Sequence, residues 1–348
     1  MGIASGKTAA RPQIPPAQHL MNMAGGFMFT AAIYAAAKFN IAELLAKGPR
    51  PVEELAAEAK CNADALYRVL RMLVTVGIFA EVAPRKMALT PAAEPLRGDV
   101  PGSKKDTILW IGNRFHFHVW AELPYSVETG KPAVEHVYKK PAFDCFTAMP
   151  DVAHDFNRAM TNLSAQIAPA LLEAYDFTGI ATLMDVAGGH GFVLCEILKQ
   201  YPRMQGILFD VESVVEGAKC RLCDLQLEHR CTPAAGNFFE GIPAGADAYY
   251  LQHIIHDWDD EKSLQILNNC RQALAGRKNG KLLVVDSVIQ ENSEPHFGKL
   301  IDLEMLLMPG GRERTEAEFR ALFARAGFAI TKIVPTKGAE SVIEARLK

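Results

Sequence analysis

The chain has 348 residues, of which 49% are hydrophobic and 22% are charged. This length predicts two or three structural units, and this composition excludes an intrinsically disordered protein. The formal net charge is −3, whereas proteins that bind nucleic acid usually carry a strong positive balance, so we expect no nucleic-acid partner. The seven cysteines are irregularly spaced, so a disulfide framework is not expected.

The first 15 residues contain two prolines and no apolar run, so we expect a flexible N-terminus and no signal peptide. Residues 18–37 carry no Asp, Glu, Lys or Arg, which raises the question of a membrane span. The pair Gly25-Gly26 and the many alanines make this run only weakly apolar for a bilayer. We therefore predict a buried or interface helix, no membrane partner and a cytoplasmic location.

Residues 16–105 predict an all-helical domain of winged-helix type that carries a small hairpin. Pro51 marks the start of the first predicted helix of this hairpin-bearing segment. One helical face then follows from apolar residues at helical spacing, namely Leu66, Val69, Leu70 and Leu73. Two short strand-like runs, 77–81 and 87–90, are separated by a turn at 84–86, and this order of elements is the outline of a winged helix.

Winged helices often bind DNA, so a transcriptional regulator that senses a cofactor is one alternative. The would-be recognition helix offers Arg68 and Arg71 as its cations, which is a thin surface for phosphate contacts. We therefore favour packing of this domain against another subunit.

The rest of the chain predicts a different architecture. We expect a helical linker and substrate-pocket region at 106–170 and a catalytic domain at 171–348. Four short apolar runs predict parallel strands, at 182–187, 206–210, 248–252 and 281–286. Strands that alternate with helices predict an α/β, doubly wound Rossmann-like sheet, and runs at 329–334 and 341–345 predict a terminal strand pair.

Cys220, Cys223, His229 and Cys231 lie close together in the sequence and suggest a metal site. Four ligands in so short a segment would have to wrap tightly around one ion, whereas cysteines also act as small apolar core residues. We therefore predict core packing and no metal.

A glycine-rich loop, Asp185–Gly191, follows the first predicted strand and opens a helix. Glycines let the backbone turn sharply and approach a ligand at the positive end of that helix. The second strand ends in Asp210, where a carboxylate can accept hydrogen bonds from both hydroxyls of a ribose. A helix N-cap is the structural alternative for this residue. The pattern indicates an adenosine-bearing cofactor but fits NAD and S-adenosylmethionine equally well.

His253 and His256 follow the third of these strands, and because side chains alternate along a strand, the two need not face the same way. A histidine just past a strand end lies in the ligand cleft and titrates near neutral pH. Three acidic residues are candidate partners for His256: the adjacent Asp257, and Asp286 and Glu313 further along the chain. A carboxylate near a histidine fixes its tautomer and raises its basicity, so His256 is the candidate base.

In their order and spacing, these segments resemble the S-adenosylmethionine-dependent small-molecule O-methyltransferases. That family includes plant caffeic-acid and flavonoid enzymes, acetylserotonin methyltransferase and bacterial natural-product enzymes. The resemblance covers about residues 20–348 and rests on Asp185–Gly191, Phe209-Asp210, Gly236–Phe239, His256–Trp258, Asp302 and Gly310–Thr315, together with Phe156–Met160 and Ser164. It implies a doubly wound catalytic domain and an N-terminal part that forms an intertwined homodimer and helps to wall the substrate pocket.

The resemblance also implies roles for individual residues. Gly189 and its neighbours would lie under the methionine part, Asp210 would hold the ribose, and Asn237 and Phe238 would flank the adenine. The full set of implied cofactor-binding residues is Asp185, Gly188, Gly189, Gly191, Asp210, Asn237, Phe238, Gln252 and Ser164. His256 would be the general base and Glu313 an orienting acid, with Asp286 at the position of a second catalytic carboxylate.

Three residues depart from the family pattern. Ala187 replaces the first glycine of the loop, and Asn237 replaces an aspartate that contacts adenine. Asn237 retains an amide donor and acceptor. Gln252 stands where plant members have a lysine near the cofactor, so a charge is lost there.

The sequence therefore predicts a homodimeric enzyme of secondary metabolism that uses S-adenosylmethionine to methylate a hydroxyl of a small aromatic or polyene-like acceptor. We expect apolar residues of both halves of the chain to form the acceptor pocket: Trp110, Phe115, Met160, Trp258, Met305 and Met308. C- or N-methylation by the same fold stays open. An NAD-dependent dehydrogenase would use the loop and Asp210 but gives no reason for His256 with Glu313.

Overall fold

The computed structural model describes residues 15–348, which divide into two compact units, one ending at Gly112 and one beginning at Asn113. Apart from Pro15, the N-terminus that we predicted to be flexible lies outside the described residues.

The N-terminal unit is helical except for a small antiparallel sheet. Its helices are α1 (Pro16–Ala24), α2 (Gly26–Lys38), α3 (Ile41–Leu44), α4 (Val52–Glu58), α5 (Ala63–Thr75) and α6 (Lys105–Ile111), with a 3-10 turn at Glu94–Leu96. Its strands are β1 (Arg50–Pro51), β2 (Phe79–Ala83) and β3 (Lys86–Leu89), which pair in the order β1-β3-β2.

The winged-helix outline is confirmed, and local chemistry explains it. The side chain of Asn62 caps α5 by accepting a hydrogen bond from the N–H of Ala65 at 2.9 Å. The face of α5 that carries Leu66, Leu70 and Leu73 is buried in the core of this unit. Arg85, at a φ of 56°, makes the left-handed turn between β2 and β3.

The unit extends to Gly112 and not to the boundary predicted at residue 105, because α6 packs against α2. A side chain at Gly112 would bring its Cβ within 2.4 Å of Tyr34 on α2, so a glycine permits this close contact.

The uncharged run at 18–37 forms two helices, α1 and α2, which bend by 41° at Gly25. No single helix among the described residues is long and apolar enough to cross a membrane, although this bent pair meets the length and composition requirement when its two helices are taken together. Leu20, Met21 and Met23 of α1 are 64–68% exposed. The prediction of a buried helix is therefore wrong for α1 within this chain, and the interface interpretation stays a prediction.

The second unit begins with five helices that lead to a large sheet. Its helices are α7 (Arg114–Ala121), α8 (Leu123–Thr129), α9 (Ala133–Tyr138), α10 (Ala142–Ala148), α11 (Pro150–Ala174), α12 (Phe192–Gln200), α13 (Glu212–Asp224), α14 (Asp260–Ala273), α15 (Gly298–Leu307) and α16 (Glu316–Arg325). Its strands are β4 (Thr182–Val186), β5 (Gln205–Asp210), β6 (Cys231–Ala235), β7 (Ala248–Gln252), β8 (Lys281–Ile289), β9 (Arg314–Thr315), β10 (Phe328–Pro335) and β11 (Glu340–Leu347). A 3-10 turn spans Ile255–Asp257.

The sheet has the order β10-β11-β8-β7-β4-β5-β6, with the short β9 paired to β8. The pairs from β6 to β8 are parallel, and β11 and β10 add two antiparallel strands at one edge. β4 pairs with β5 on one side and β7 on the other, so the strand order reverses at β4. Ligands of doubly wound sheets bind beyond the carboxyl ends of the strands at such a point.

Helices cover both faces of this sheet, as a doubly wound fold requires. One face packs against Ile167 and Leu171 of α11 and against α12 and α13. The other face packs against Ile266 and Leu267 of α14 and Phe319 of α16. The four predicted parallel strands and the terminal strand pair are confirmed.

One boundary predicted for this unit is wrong, and one strand was not predicted. The boundary at residues 170 and 171 falls inside α11, a continuous 25-residue helix. Sequence reasoning also missed β6, whose first residue, Cys231, we had considered as a metal ligand. Cys231 is buried in the core under the sheet, and burial raises the pKa of its thiol to about 12.

Candidate active site

The glycine-rich loop joins β4 to α12 through three residues with left-handed backbones. The φ angles are 57° at Ala187, 59° at Gly189 and 70° at Gly191. Two of these positions are glycines, which adopt such angles without steric cost, whereas Ala187 does so under strain. The N–H of Ala187 donates to the carbonyl of Phe209 at 2.7 Å, and this bond ties the strained turn to β5.

Asp185 lies beneath the loop and is 3% exposed. A Cβ at Gly188 would come within 2.5 Å of its carboxylate, so Gly188 is the position that lets the loop close over this side chain. Burial, helped by the charge of Asp210, raises the pKa of Asp185 to about 8. Asp185 therefore lies directly under the loop, and its role in binding the cofactor stays a prediction.

Asp210 ends β5 and faces the loop. Its Oδ2 accepts a hydrogen bond from the N–H of Gly189 at 2.8 Å, and its Oδ1 accepts one from the N–H of Val211 at 2.7 Å. Burial raises the pKa of Asp210 despite these bonds. The N-cap of α13 is Val211, so the N-cap alternative for Asp210 is wrong.

The remaining predicted cofactor residues lie on three different segments. Asn237 follows β6, and its side chain accepts the N–H of Phe239 at 2.9 Å, a local turn that its short amide favours. Gln252 ends β7 and accepts the hydroxyl hydrogen of the buried Tyr250 at 2.5 Å. Ser164 lies half-buried on α11.

His256 and Glu313 form a buried acid–imidazole pair, although 57 positions separate them in the chain. Nδ1 of His256 lies 2.7 Å from Oε1 of Glu313, and the two residues are 6% and 2% exposed. Burial disfavours the imidazolium, but the charges of Glu313, Asp286 and Asp257 outweigh it and raise the pKa of His256 to about 10. Because Glu313 accepts the proton on Nδ1, Nε2 is the nitrogen left to act as a base.

Asp286 is fully buried on β8, and neither of its oxygens has a hydrogen-bond partner among residues 15–348. Burial raises its pKa to about 7, against the opposing charge of His256. The role of Asp286 as a second catalytic carboxylate stays a prediction. Its influence on His256 is through charge.

His253 and His256 face each other, a relationship that strand alternation had left open. Their rings stack with centroids 5.0 Å apart and an interplanar angle of 20°. His253 has a φ of 55°, so the strand geometry ends at Gln252 and alternation no longer applies. Nε2 of His253 lies 3.5 Å from Oε1 of Glu340.

Trp258 joins an aromatic cluster that sequence reasoning missed. It stacks on Phe143 of α10 at 5.6 Å and meets Phe238 and Phe239 at 6.2 and 4.9 Å. Its Nε1 is buried and has no partner among the described residues. The spacing of Phe143 and Phe146 on α10 was the only sequence signal, and it does not name a distant partner such as Trp258.

The other predicted pocket residues are distributed as follows. Phe115 on α7 stacks on Tyr138 at 4.5 Å and meets Phe146 at 6.0 Å, and Phe146 adjoins Phe143. Met305 and Met308 are buried at the end of α15, and Met160 is half-buried on α11. Trp110 is buried on α6 of the N-terminal unit.

Comparison with known proteins shows the family to which this chain belongs. A family model described as an O-methyltransferase domain matches residues 120–329, and one described as an O-methyltransferase dimerisation domain matches residues 21–97. The chain belongs to the S-adenosylmethionine-dependent small-molecule O-methyltransferase family. This membership selects a methyltransferase over the dehydrogenase and regulator alternatives.

Three known proteins are similar to this chain over nearly its whole length. A phenazine O-methyltransferase of Lysobacter antibioticus is 39% identical, over 96% of this chain and 97% of its own. An 8-amino-8-demethylriboflavin N,N-dimethyltransferase of Streptomyces davaonensis is 33% identical, over 96% of each chain. The crystal structure of an O-methyltransferase of neocarzinostatin biosynthesis, with S-adenosylmethionine and a hydroxy-methyl-naphthoic acid, matches with a TM-score of 0.80. It is 30% identical and covers 97% of this chain and 100% of its own.

Proposed function

We propose that this methyltransferase transfers a methyl group from S-adenosylmethionine to a hydroxyl of a small aromatic natural product, with His256 as the general base. The observation that carries this proposal is the buried contact of Nδ1 of His256 with Glu313, which leaves Nε2 as the basic nitrogen. His256 follows the carboxyl end of β7, at the edge of the sheet that also carries the glycine-rich loop, and Glu313 directly precedes β9, which pairs with the last residues of β8.

The residues around the loop fit an adenosine-bearing cofactor. A side chain at Gly189 would meet no described atom within 4 Å, so the loop is open above this glycine at the start of α12. The carboxylate of Asp210 lies beside it and would hold the ribose, while Phe238 would flank the adenine. When bound, S-adenosylmethionine supplies an activated methyl group on its sulfonium.

His256 would accept the proton of the acceptor hydroxyl at Nε2. Glu313 would stabilise the imidazolium that forms, because its carboxylate already bonds Nδ1. A positioned general base contributes about 10²–10⁴-fold to a rate, and alignment of the acceptor supplies much of the rest.

The acceptor that we propose is aromatic. Trp258, Phe143, Phe115 and Met160 are apolar residues of the second unit that would contact its rings, with Met305 and Met308. A hydroxy-naphthoic acid bound to one relative supports this class. The riboflavin-type relative acts on nitrogen, so an aromatic amine is the second candidate acceptor.

We propose that the enzyme works as a homodimer, in which the N-terminal unit meets a second copy. The exposed apolar side chains of α1 and α2 support this, because patches of this kind usually mark an interface: Leu20, Met21, Met23, Phe27 and Met28. The match to a dimerisation family over residues 21–97 supports it as well.

A matched acceptor screen tests the proposed reaction. Phenols, hydroxynaphthoates and their amino counterparts are incubated with methyl-labelled S-adenosylmethionine, and the labelled products are identified by mass spectrometry. We expect label on oxygen and in the hydroxylated member of each pair. Label confined to the amines would overturn O-methylation and favour the N-methylating alternative.

A further inference from the structure

The segment from Gly311 to Arg314 lies directly against the turn that carries His256. A Cβ at Gly311 would come within 2.0 Å of the carbonyl oxygen of His256, so only a glycine allows this contact. The N–H of Arg312 donates to that same carbonyl at 2.8 Å, and the next residue, Glu313, bonds the imidazole. One short segment therefore holds both the backbone and the ring of His256.

Arg314 extends this contact to both sides of the turn. Its guanidinium is 1% exposed, with Nη1 donating to the carbonyl of Ile255 at 3.0 Å and Nη2 donating to the carbonyl of Trp258 at 2.9 Å. These two carbonyls lie immediately before and after the pair His256-Asp257. The planar fork of an arginine suits two acceptors at a fixed separation, which a lysine cannot match.

The buried charge of Arg314 is balanced locally. Nη2 and Nε lie 2.9 and 3.2 Å from Oδ1 of Asp260 at the start of α14. The hydroxyl of Ser263 lies 3.3 Å from each of the carbonyls of Ile255 and Trp258 and 3.4 Å from Nη2. Burying a charged group costs free energy unless it is paired and hydrogen-bonded. Asp260 supplies the opposite charge, and two of the guanidinium's hydrogen bonds go to the carbonyls of Ile255 and Trp258.

We propose that Arg314 is a positioning residue for His256: its guanidinium clamps the two carbonyls that flank the catalytic turn and so keeps Nδ1 of His256 against Glu313. This inference rests on the proposed role of His256 as the base. Arg314 touches neither His256 nor Glu313 through its side chain, and its effect passes through the backbone of the turn.

A purely structural role would change stability but leave the His256–Glu313 pair intact in the folded protein. The two roles are separated by the imidazole titration of His256, followed by NMR in the full-length chain with 13C-labelled histidine and no added ligand. His256→Gln identifies the signal among the ten histidines. Glu313→Gln gives the titration midpoint of an imidazole that has lost its carboxylate.

Arg314→Lys retains the positive charge and removes the fork. We expect the His256 midpoint to fall by about one pH unit or more, toward that of Glu313→Gln, because a carboxylate partner accounts for a shift of that order. The matched control is Arg320→Lys, which alters an exposed arginine paired with Glu316 and is expected to leave the midpoint unchanged.

An unchanged midpoint in folded Arg314→Lys would overturn the proposal. If Arg314→Lys does not fold, Ser263→Ala is the deciding variant, because it weakens the same clamp without disturbing a buried charge. A fall in the His256 midpoint that is smaller than the one in Glu313→Gln supports the proposal. An unchanged midpoint overturns it. Since the titration needs no methyl acceptor, either result is independent of whether the chain methylates oxygen.

Discussion

Oε1 of Glu313 lies 2.7 Å from Nδ1 of His256, with both side chains buried. This contact fixes the imidazole tautomer and, together with Asp286 and Asp257, stabilises the imidazolium. A base held in this way must lose its proton before it can accept one from an acceptor. In the proposed mechanism, the pair therefore sets the pH range in which methyl transfer occurs.

The first prediction concerns the pH dependence of methyl transfer. A base must be neutral to act, and the pKa of His256 is raised to about 10, so kcat/KM is expected to rise with pH well above the range of a free imidazole. Glu313→Gln is expected to move the acidic limb of the profile to lower pH and to lower the maximal rate by about 10-fold or more. Profiles that coincide for the two enzymes would contradict the assignment of Glu313.

The second prediction concerns Asp286 and stability. Its pKa is raised from 3.8 to about 7 in the folded chain, so the folded state holds this proton more tightly than the unfolded state. The stability that the proton provides is present at low pH and is lost as the pH rises through about 7.

Asp286→Asn removes this titration. We expect the free energy of unfolding of the variant to rise relative to that of the wild type as the pH increases from 4 to 8. Urea unfolding at several pH values measures the difference, with the exposed Asp224→Asn as the control. A difference that does not change with pH would argue against a buried, unpaired carboxyl.

The third prediction concerns Asp210 and the cofactor. Asp210→Ala removes the carboxylate expected to bind ribose, and hydrogen bonds to a charged group are worth about 1.5–3 kcal/mol. The affinity for S-adenosylhomocysteine in calorimetry is therefore expected to fall by about 10- to 100-fold, while Asp224→Ala leaves it unchanged. Undiminished affinity in a folded Asp210→Ala variant would remove Asp210 from the cofactor site.

The fourth prediction concerns the strained loop residue. Ala187 has a φ of 57°, where an alanine costs about 1 kcal/mol and a β-branched residue more. Ala187→Gly is expected to maintain or raise the Tm, and Ala187→Val to lower the free energy of unfolding by about 2 kcal/mol or more. Equal Tm values for the two variants would show that the left-handed turn is not strained.

The sequence predicted the elements whose signal is local. The strands that lead into Asp185 and Asp210, and the helical face of Leu66 and Leu70, follow from apolar spacing, and the glycine-rich loop follows from its composition. The role of Glu313 as an orienting acid came from the resemblance to a family. Glu313 is too far from His256 in the chain for local sequence patterns to indicate their contact.

What the sequence missed depends on tertiary contacts or on a single backbone angle. β6 is short and contains Pro233, which weakens any strand signal. The stacking of His253 on His256 follows from one positive φ angle, and the contact of Phe143 with Trp258 joins segments far apart in the chain. The clamp of Arg314 was also missed, because it binds backbone carbonyls, which every residue carries and which therefore leave no signal in the sequence.

The most direct test of the central claim is the turnover of His256→Gln with a hydroxylated aromatic acceptor under saturating S-adenosylmethionine. Glutamine keeps a polar side chain but cannot act as a base at neutral pH. We predict a loss in kcat of about 10²-fold or more, with calorimetric affinity for S-adenosylhomocysteine close to that of the wild type. Near-normal turnover by a variant that binds the cofactor normally would contradict general-base catalysis by His256.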